Sequence, residues 1–569
     1  GDKSGLELFK KITGRTIPEW IKSTEKQKKL CGYISLESLF QISPELGTNI
    51  LLKEGLLEDM MDCVEFESEE IQLAIADILS IACSHKNCRA LVTVHCQKYL
   101  SSLMTSKNNK LKTTAAVALT KIMLDEKSSG TPGDEKQNTG GKVRIIDEDE
   151  ALLSNLFENI VLNDGNDVDL KISAIEGLAY SSLKPTVKEM ITYHPTLLKE
   201  IFELVQKVKA NNNTLFYGVA VMLSNITTYK KRLSETEEQY LKLKKMAGEA
   251  SNLELDPVDD DEYVVNRGKQ VMNLGVIRAL TSMSKNNSET IRQVIAKVFL
   301  NLSTDQNNRG AIVQQGGVKL LIPLATKGSR EVMMYATQAL AKIAITMDPR
   351  LAFRGERAAD LVRPLLILCQ GESELCQFEA LMALTNLGSV DDDIRMRIYN
   401  AKGIPIIESL QFSDNVMVRR ASTECLCNMM FCEPVYEMYS EVENSAANKI
   451  KILLALSDVE DFETRRASSG ALAILSTSPN VCKMIVERPR GIDLLKDLMS
   501  EQSIEIQHRC VEIIKNMTKV NKEMVEILIK AKVPEKLTEF VRECKIESVV
   551  SVAIEALQEI SKYSSSSKK

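Results

Sequence analysis

Apolar residues along this chain recur with helical spacing inside a second, longer period. Helix ends of the form apolar-x-x-Asn-apolar, or close variants, recur as VFLNL (Asn301), ALAKI (Lys342), ALTNL (Asn386), CLCNM (Asn428), ALAIL (Ile474), IIKNM (Asn516) and ALQEI (Glu559). These landmarks lie roughly 41 to 46 residues apart, the period of armadillo or HEAT units, in which each repeat buries its apolar stripe against its neighbours. A shorter helix precedes each landmark helix. Several of these open on glycine, as in GVIRAL from Gly275, GGVKLLIPLA from Gly316 and GIPIIESL from Gly403. Glycine there is expected to take the left-handed conformation that ends one helix and starts the next. One long helix, one medium helix and a glycine turn per period predict an all-α, armadillo-type superhelical solenoid.

The first half repeats less cleanly, with equivalents at SLFQI (Gln41), DILSI (Ser80), ALTKI (Lys121), AIEGL (Gly177) and MLSNI (Asn225). Two gaps are overlong. Residues 126–150 are rich in Gly, Ser and charge, with too little apolar surface to offset ordering entropy, which predicts a mobile insertion. In 229–262 a charged helix (KLKKMAGEA) leads to the acidic LELDPVDDDE, read as a solvated linker. The predicted layout is repeats over 1–125, the insertion at 126–150, further repeats with the acidic linker over 151–264, and the regular array over 265–569.

Composition narrows the function. The chain has 569 residues, 44% hydrophobic and 26% charged, with a net charge of −6 and one Trp. A net negative balance gives no long-range field to gather nucleic acid or an anionic membrane. No apolar run approaches a bilayer span, and no opening stretch reads as a secretory signal. The 13 Cys are scattered through apolar contexts, as in TECLCNMM, and read as reduced core thiols of a cytoplasmic protein. The start GDK, without Met, reads as part of something longer.

Catalytic and metal patterns are weak. Cys83, His85, Cys88, His95 and Cys96 bring thiol and imidazole together but lack paired Cys-x-x-Cys spacing. His194 stands alone. No nucleophile elbow, HExxH, phosphate loop or dinucleotide fingerprint is present. The reading is a non-enzyme with no cofactor, no metal and no catalytic residue.

In an armadillo unit the long third helix lines the inner face. Positions four and eight before the landmark lie within about 80° of it around the helix, so the three columns form one stripe. This predicts a client-binding groove of Asn301, Met334, Gln338, Lys342, Phe378, Met382, Asn386, Arg420, Asn428, Arg466, His508 and Asn516, centred near Phe378 and Asn386. Amides hydrogen-bond an extended backbone, apolar and aromatic groups take its side chains, and cations take its carboxylates. The alternative at these positions is that an Asn in a fixed repeat position ties one repeat to the next.

Specific wording adds to this. NNRGAIVQQGGVKLLIPLA from Asn307, YATQALAKIAI from Tyr335, QFEALMALTNL from Gln377, RRASTECLCNM from Arg419 and QHRCVEIIKNM from Gln507 resemble the UCS family of myosin chaperones, in its animal members. EGLAY from Glu176 and LFYGVAVMLSNI from Leu215 look like the family's central and neck regions. The resemblance implies a central region over 1–125, a neck over 151–264 and a UCS domain from 265. It also implies a chaperone that binds the myosin motor domain and assists its folding, with Phe378 and Asn386 in the client groove. It implies contact with Hsp90 mainly through a tetratricopeptide domain absent from this sequence; self-association is a further possibility. FRGERAADLVRP matches the family only loosely, and Lys342 stands where Arg is expected. The competing class is a general armadillo scaffold or cargo adaptor, which the single Trp, outside the array, argues against.

Overall fold

The computed structural model describes residues 3–128, 147–230, 257–441 and 444–566, and these residues are helical with no strand among them. They form two compact units, Gly1–Leu302 and Ser303–Lys569. The predicted insertion lies mostly outside the described residues; its first three residues finish the helix Asn109–Ser128 and its last four belong to Asp147–Leu162. The predicted charged helix and the first four residues of the acidic segment, all within 231–256, also lie outside them.

The second unit is a run of three-helix repeats, the armadillo-type architecture the period predicts. Its third helices are Arg330–Thr346, Glu374–Val390, Val416–Met429, Phe462–Leu475, Ile504–Thr518 and Glu547–Ser566, each packed on the next. Each also packs on its own second helix, for example Arg357–Cys369 on Glu374–Val390. Small residues allow this approach: Ala339, Ala341, Ala380, Ala383, Ala421 and Ala471 are fully buried between Leu and Ile side chains. Helix starts are set by short polar caps. Asp305, Asp348, Asp391, Ser373, Asn415, Asp461 and Asn521 each accept a backbone N–H of the following turn, each cap worth about 1 kcal/mol.

A further column lies nine positions before the landmark. Gln377 Nε2 donates to Gly371 O at 2.8 Å, Arg419 Nη1 to Ser413 O at 2.7 Å, Arg465 Nη1 to Val459 O at 2.8 Å and Gln507 Nε2 to Glu501 O at 2.6 Å. Four of the six third helices thus fasten the turn that leads into them.

The turns correct one expectation. Gly275 and Gly316 are left-handed as predicted, with φ of 88° and 86°. In GIPIIESL, however, the left-handed residue is Lys402, φ 59°, and Gly403 is the first residue of the helix. Glycine is needed at 403 for room, because a Cβ there would lie 2.8 Å from Ile398 Cγ2 and 2.9 Å from its carbonyl oxygen.

The first unit stacks Lys26–Ile42, Glu69–Ala82, Asn109–Ser128, Val168–Ser181 and Asn213–Thr227 in the same manner. It buries a larger cluster of charge. Arg267 is 0% exposed; its guanidinium donates to Ile226 O, Val258 O, Glu189 and Asp259, and Lys188 donates to both oxygens of Asp259 at 2.9 and 2.7 Å. Asp260 pairs with Lys230 at 2.6 Å. The acidic run is therefore not a solvated linker at its end: Asp259 joins Lys188 and Arg267 of two helices far apart in sequence.

Candidate client-binding face

The predicted stripe lies on the third helices, and most of its members are half-buried. The landmark asparagines have a common geometry. Asn386 Nδ2 donates to Ala344 O and Ile345 O at 3.0 and 2.9 Å, Asn428 Nδ2 to Thr385 O at 3.1 Å, and Asn516 Nδ2 to Ser476 Oγ at 2.9 Å. In the first unit Asn225 reaches Ala179 O and Ser182 Oγ, and Asn301 reaches the hydroxyls of Thr227 and Thr228. Every one of these acceptors belongs to the C-terminal part of the preceding third helix, whose last carbonyls have no partner within their own helix, or lies just beyond it. The amide hydrogens thus tie repeat to repeat, the alternative weighed for these positions.

Where the landmark is lysine, the tie is ionic. Lys342 Nζ lies 2.5 Å from Glu379 Oε1, and Gln338 Nε2 donates to the other carboxylate oxygen at 3.0 Å. Glu379 is only 6% exposed. It joins two neighbouring third helices directly beside Phe378. Lys121 plays the corresponding part in the first unit, 2% exposed, donating to Ser80 O and to Glu176.

The predicted cations are also occupied within the chain. Arg420 forms a two-pronged pair with Asp461, whose carboxyl is held well below the usual range by that hydrogen bond. Arg466 reaches Glu463 at 2.7 Å and Glu424 at 3.3 Å. Burial raises the Glu424 carboxyl above its ordinary value against the pull of Arg466. The expectation that these cations stand ready for client carboxylates is corrected accordingly. His508 is exposed, 3.9 Å from Glu512.

Met334, Phe378 and Met382 are the apolar members, all half-buried on adjacent third helices. An aromatic flanked by two flexible thioethers suits apolar side chains of varied shape.

Sequence reasoning missed Glu379, Asp461 and Asp259. Glu379 had a signal: it follows Phe378 at a position that faces the neighbouring helix, where a lone carboxylate demands a cation. The Cys–His segment resolves into packing. Cys83, Cys88 and Cys96 are buried, burial pushes the Cys83 thiol up to about 12, and the His85 ring stacks on Phe40 with centroids 5.9 Å apart. Cys425 and Cys427 are pushed up in the same way, to about 12 and about 11, the state of inert core thiols. Among the described residues no helix is long and apolar enough to cross a membrane.

Comparison with known proteins bears on what this face holds. Residues 3–156 match the family described as UNC45-central, myosin-binding striated muscle assembly central. Protein unc-45 homolog B of Danio rerio is 31% identical over 94% of this chain and 56% of its own length. UNC-45 from Drosophila melanogaster superimposes with a TM-score of 0.79 at 27% identity, over 99% of this chain and 70% of that one. The myosin chaperone UNC-45 from C. elegans, solved with an Hsp90 peptide, shares the fold with a TM-score of 0.74 at 24% identity, over 98% of this chain and 57% of that one. The chain spans just over half the length of the curated relatives it matches.

Proposed function

We propose, from the premise that this chain is a relative of the UNC-45 (UCS) proteins along nearly its whole length, that it is a non-enzymatic chaperone holding the myosin motor domain. The observation that carries this reading is the collinear likeness over 94% of the chain to a protein of that kind. The face offered to the client is the third-helix stripe of the second unit. Its apolar centre is Met334, Phe378 and Met382; Gln338, Lys342 and Glu379 set the spacing of the helices that present it. Asn301 and Asn386 spend both amide hydrogens on the neighbouring repeat and offer their carbonyl oxygens, whereas Asn428 and Asn516 spend one and keep the second beside the oxygen. Arg420, Arg466 and His508 border the client site. Holding requires no turnover and no cofactor, and the proposed setting is the cytoplasm. Contact with Hsp90 is assigned mainly to a tetratricopeptide domain of the kind the family resemblance brings, not to these helices.

The test is light scattering from a myosin motor fragment heated with the chain. Phe378→Ala with Met382→Ala is expected to weaken protection by about thirtyfold or more in the concentration required, since the two truncations together remove about 2 to 4 kcal/mol of apolar contact at a half-buried site. Protection equal to that of the parent chain, with both proteins melting at the same temperature, sinks the groove assignment.

A further inference from the structure

The first unit contains a cleft that the proposed function does not use. It has a volume of about 410 Å³ and lies across three successive third helices, Val168–Ser181, Asn213–Thr227 and the opening turn of Glu289–Thr304. This falls within the range of pockets that bind organic groups, about 300 to 1,000 Å³. Tyr180, Tyr217, Val221 and Ile291 supply its apolar and aromatic lining, and Asn213 and Thr214 its polar lining.

Three features define what fits. The first is charge. Glu176 is the single ionisable carboxylate in the lining, and its Oε1 accepts from Lys121 Nζ at 2.8 Å. That ammonium is buried and lies 5.0 Å from the centre of the Tyr180 ring. An entering cation meets Lys121 behind the carboxylate, and an entering anion meets Glu176, so a neutral group is favoured on both counts.

The second feature is shape. Gly218 lines the cleft, and a Cβ built there comes no nearer than 3.8 Å to Glu176 Cα, an ordinary contact. Crowding therefore does not require glycine; its effect is to leave the space beside the tyrosines open. Tyr217 is 44% exposed, an aromatic surface unusual for a face otherwise covered by its neighbours. Its phenol is pushed up by partial burial and, secondarily, by Tyr180, which lines the same cleft.

The third feature is the polar lining. Asn213 Oδ1 is taken by Asn286 Nδ2 at 2.8 Å, which leaves the Asn213 amide hydrogens to donate to a visitor. The hydroxyl of Thr214 can donate and accept beside it. Amide and hydroxyl groups next to an aromatic slot suit peptide backbone beside a flat side chain.

We propose that this cleft holds an aromatic side chain of an extended, uncharged stretch of polypeptide, giving the first unit a peptide-holding site of its own. Only the identity of the natural occupant rests on the client reading above; the chemistry of the cleft does not.

The experiment is photocrosslinking of the full chain with Tyr217 replaced by the photoreactive aromatic p-benzoylphenylalanine. The probe is reduced, carboxymethylated α-lactalbumin, a permanently unfolded polypeptide, with native α-lactalbumin beside it. Crosslinking to the unfolded probe is expected to exceed that to the native one by about tenfold, and Val221→Trp, which fills the cleft, is expected to remove most of it. Equal crosslinking to both probes overturns the proposal, as does crosslinking unchanged by Val221→Trp or crosslinking only to a second copy of the chain. If Val221→Trp lowers the melting temperature, Thr214→Trp fills the cleft from an exposed position and repeats the measurement. A heated myosin motor fragment forms a separate arm. Capture of unfolded α-lactalbumin without capture of the motor upholds the cleft and removes the motor as its occupant; capture of neither removes the cleft, and the client reading is decided separately by the scattering test of the second unit.

Discussion

The two units use amide and ionic ties between repeats in different proportion. In the second unit the ties at Asn386, Asn428 and Asn516 are neutral amides reaching to the end of the helix before, beside the ionic tie of Lys342 to Glu379. In the first unit two joints depend on buried cations, Lys121 between Ser80 and Glu176, and Arg267 among Glu189, Asp259 and two carbonyls. An amide tie is cheap to bury and weak, and its loss exposes groups that water can still reach. A buried cation needs each partner in place, and removing one leaves an uncompensated charge in low dielectric. The first unit should therefore fail abruptly at Lys121 and Arg267, whereas the second should degrade gradually away from its ionic joint at Glu379.

Arg267→Met tests the extreme of that contrast. It strips Glu189 of its partner and leaves Asp259 with Lys188 alone, and a loss of about 3 to 5 kcal/mol is expected in urea unfolding, confined to the transition of the first unit. A loss under 1 kcal/mol would remove the distinction between the units. Asn386→Ala deletes two hydrogen bonds to carbonyls at the end of a helix and is expected to cost about 1 to 2 kcal/mol in the transition of the second unit.

Asp77 sharpens the comparison in the opposite direction. Burial, only partly offset by the hydrogen bond from Thr114, raises its carboxyl to about 6. A carboxyl whose folded value lies above its unfolded one, about 3.9, favours the folded state fully below the unfolded value, and this contribution is lost as pH rises to 6. Asp77→Asn keeps an acceptor for Thr114 and is expected to stabilise the first unit by about 1 kcal/mol at pH 7, after discounting for its partial exposure. The gain should vanish near pH 4, as thermal melting at the two pH values would show. The smallest effect is expected at Arg420. Arg420→Gln releases Asp461, whose depressed carboxyl contributes stability above its unfolded value that is lost as pH falls through the folded one. At pH 7 and 0.15 M salt the change should be under about 1 kcal/mol, because the pair is partly exposed.

The period and the order of the helices were legible in the sequence because each repeat writes the same apolar pattern against the same neighbours. The Asn column was visible too, but its purpose was not: the spacing that lines up Asn386 with Asn428 is the same whether the amide faces a visitor or the previous helix. Lys402, at φ 59°, hid because the glycine beside it carried the expected signal. Asp259 hid for a different reason. Its partner Lys188 lies 71 residues away, and nothing in an acidic run marks which carboxylate will be drawn inside. The apolar trio of Met334, Phe378 and Met382 was read from spacing alone, while Glu379, which bonds the residues around it, required the neighbouring helix to be seen.

The side chains Gln377, Arg419, Arg465 and Gln507 each fasten a turn to its own third helix, and Arg465 also pairs with Glu501 of the next repeat at 2.9 Å. A unit that closes its own loop carries its shape with it when copied, removed or moved along the chain. Lengthening such an array by duplicating one period, or shortening it by one, then demands new bonds only at the two seams, so the length of the track is open to change while the form of each segment is kept.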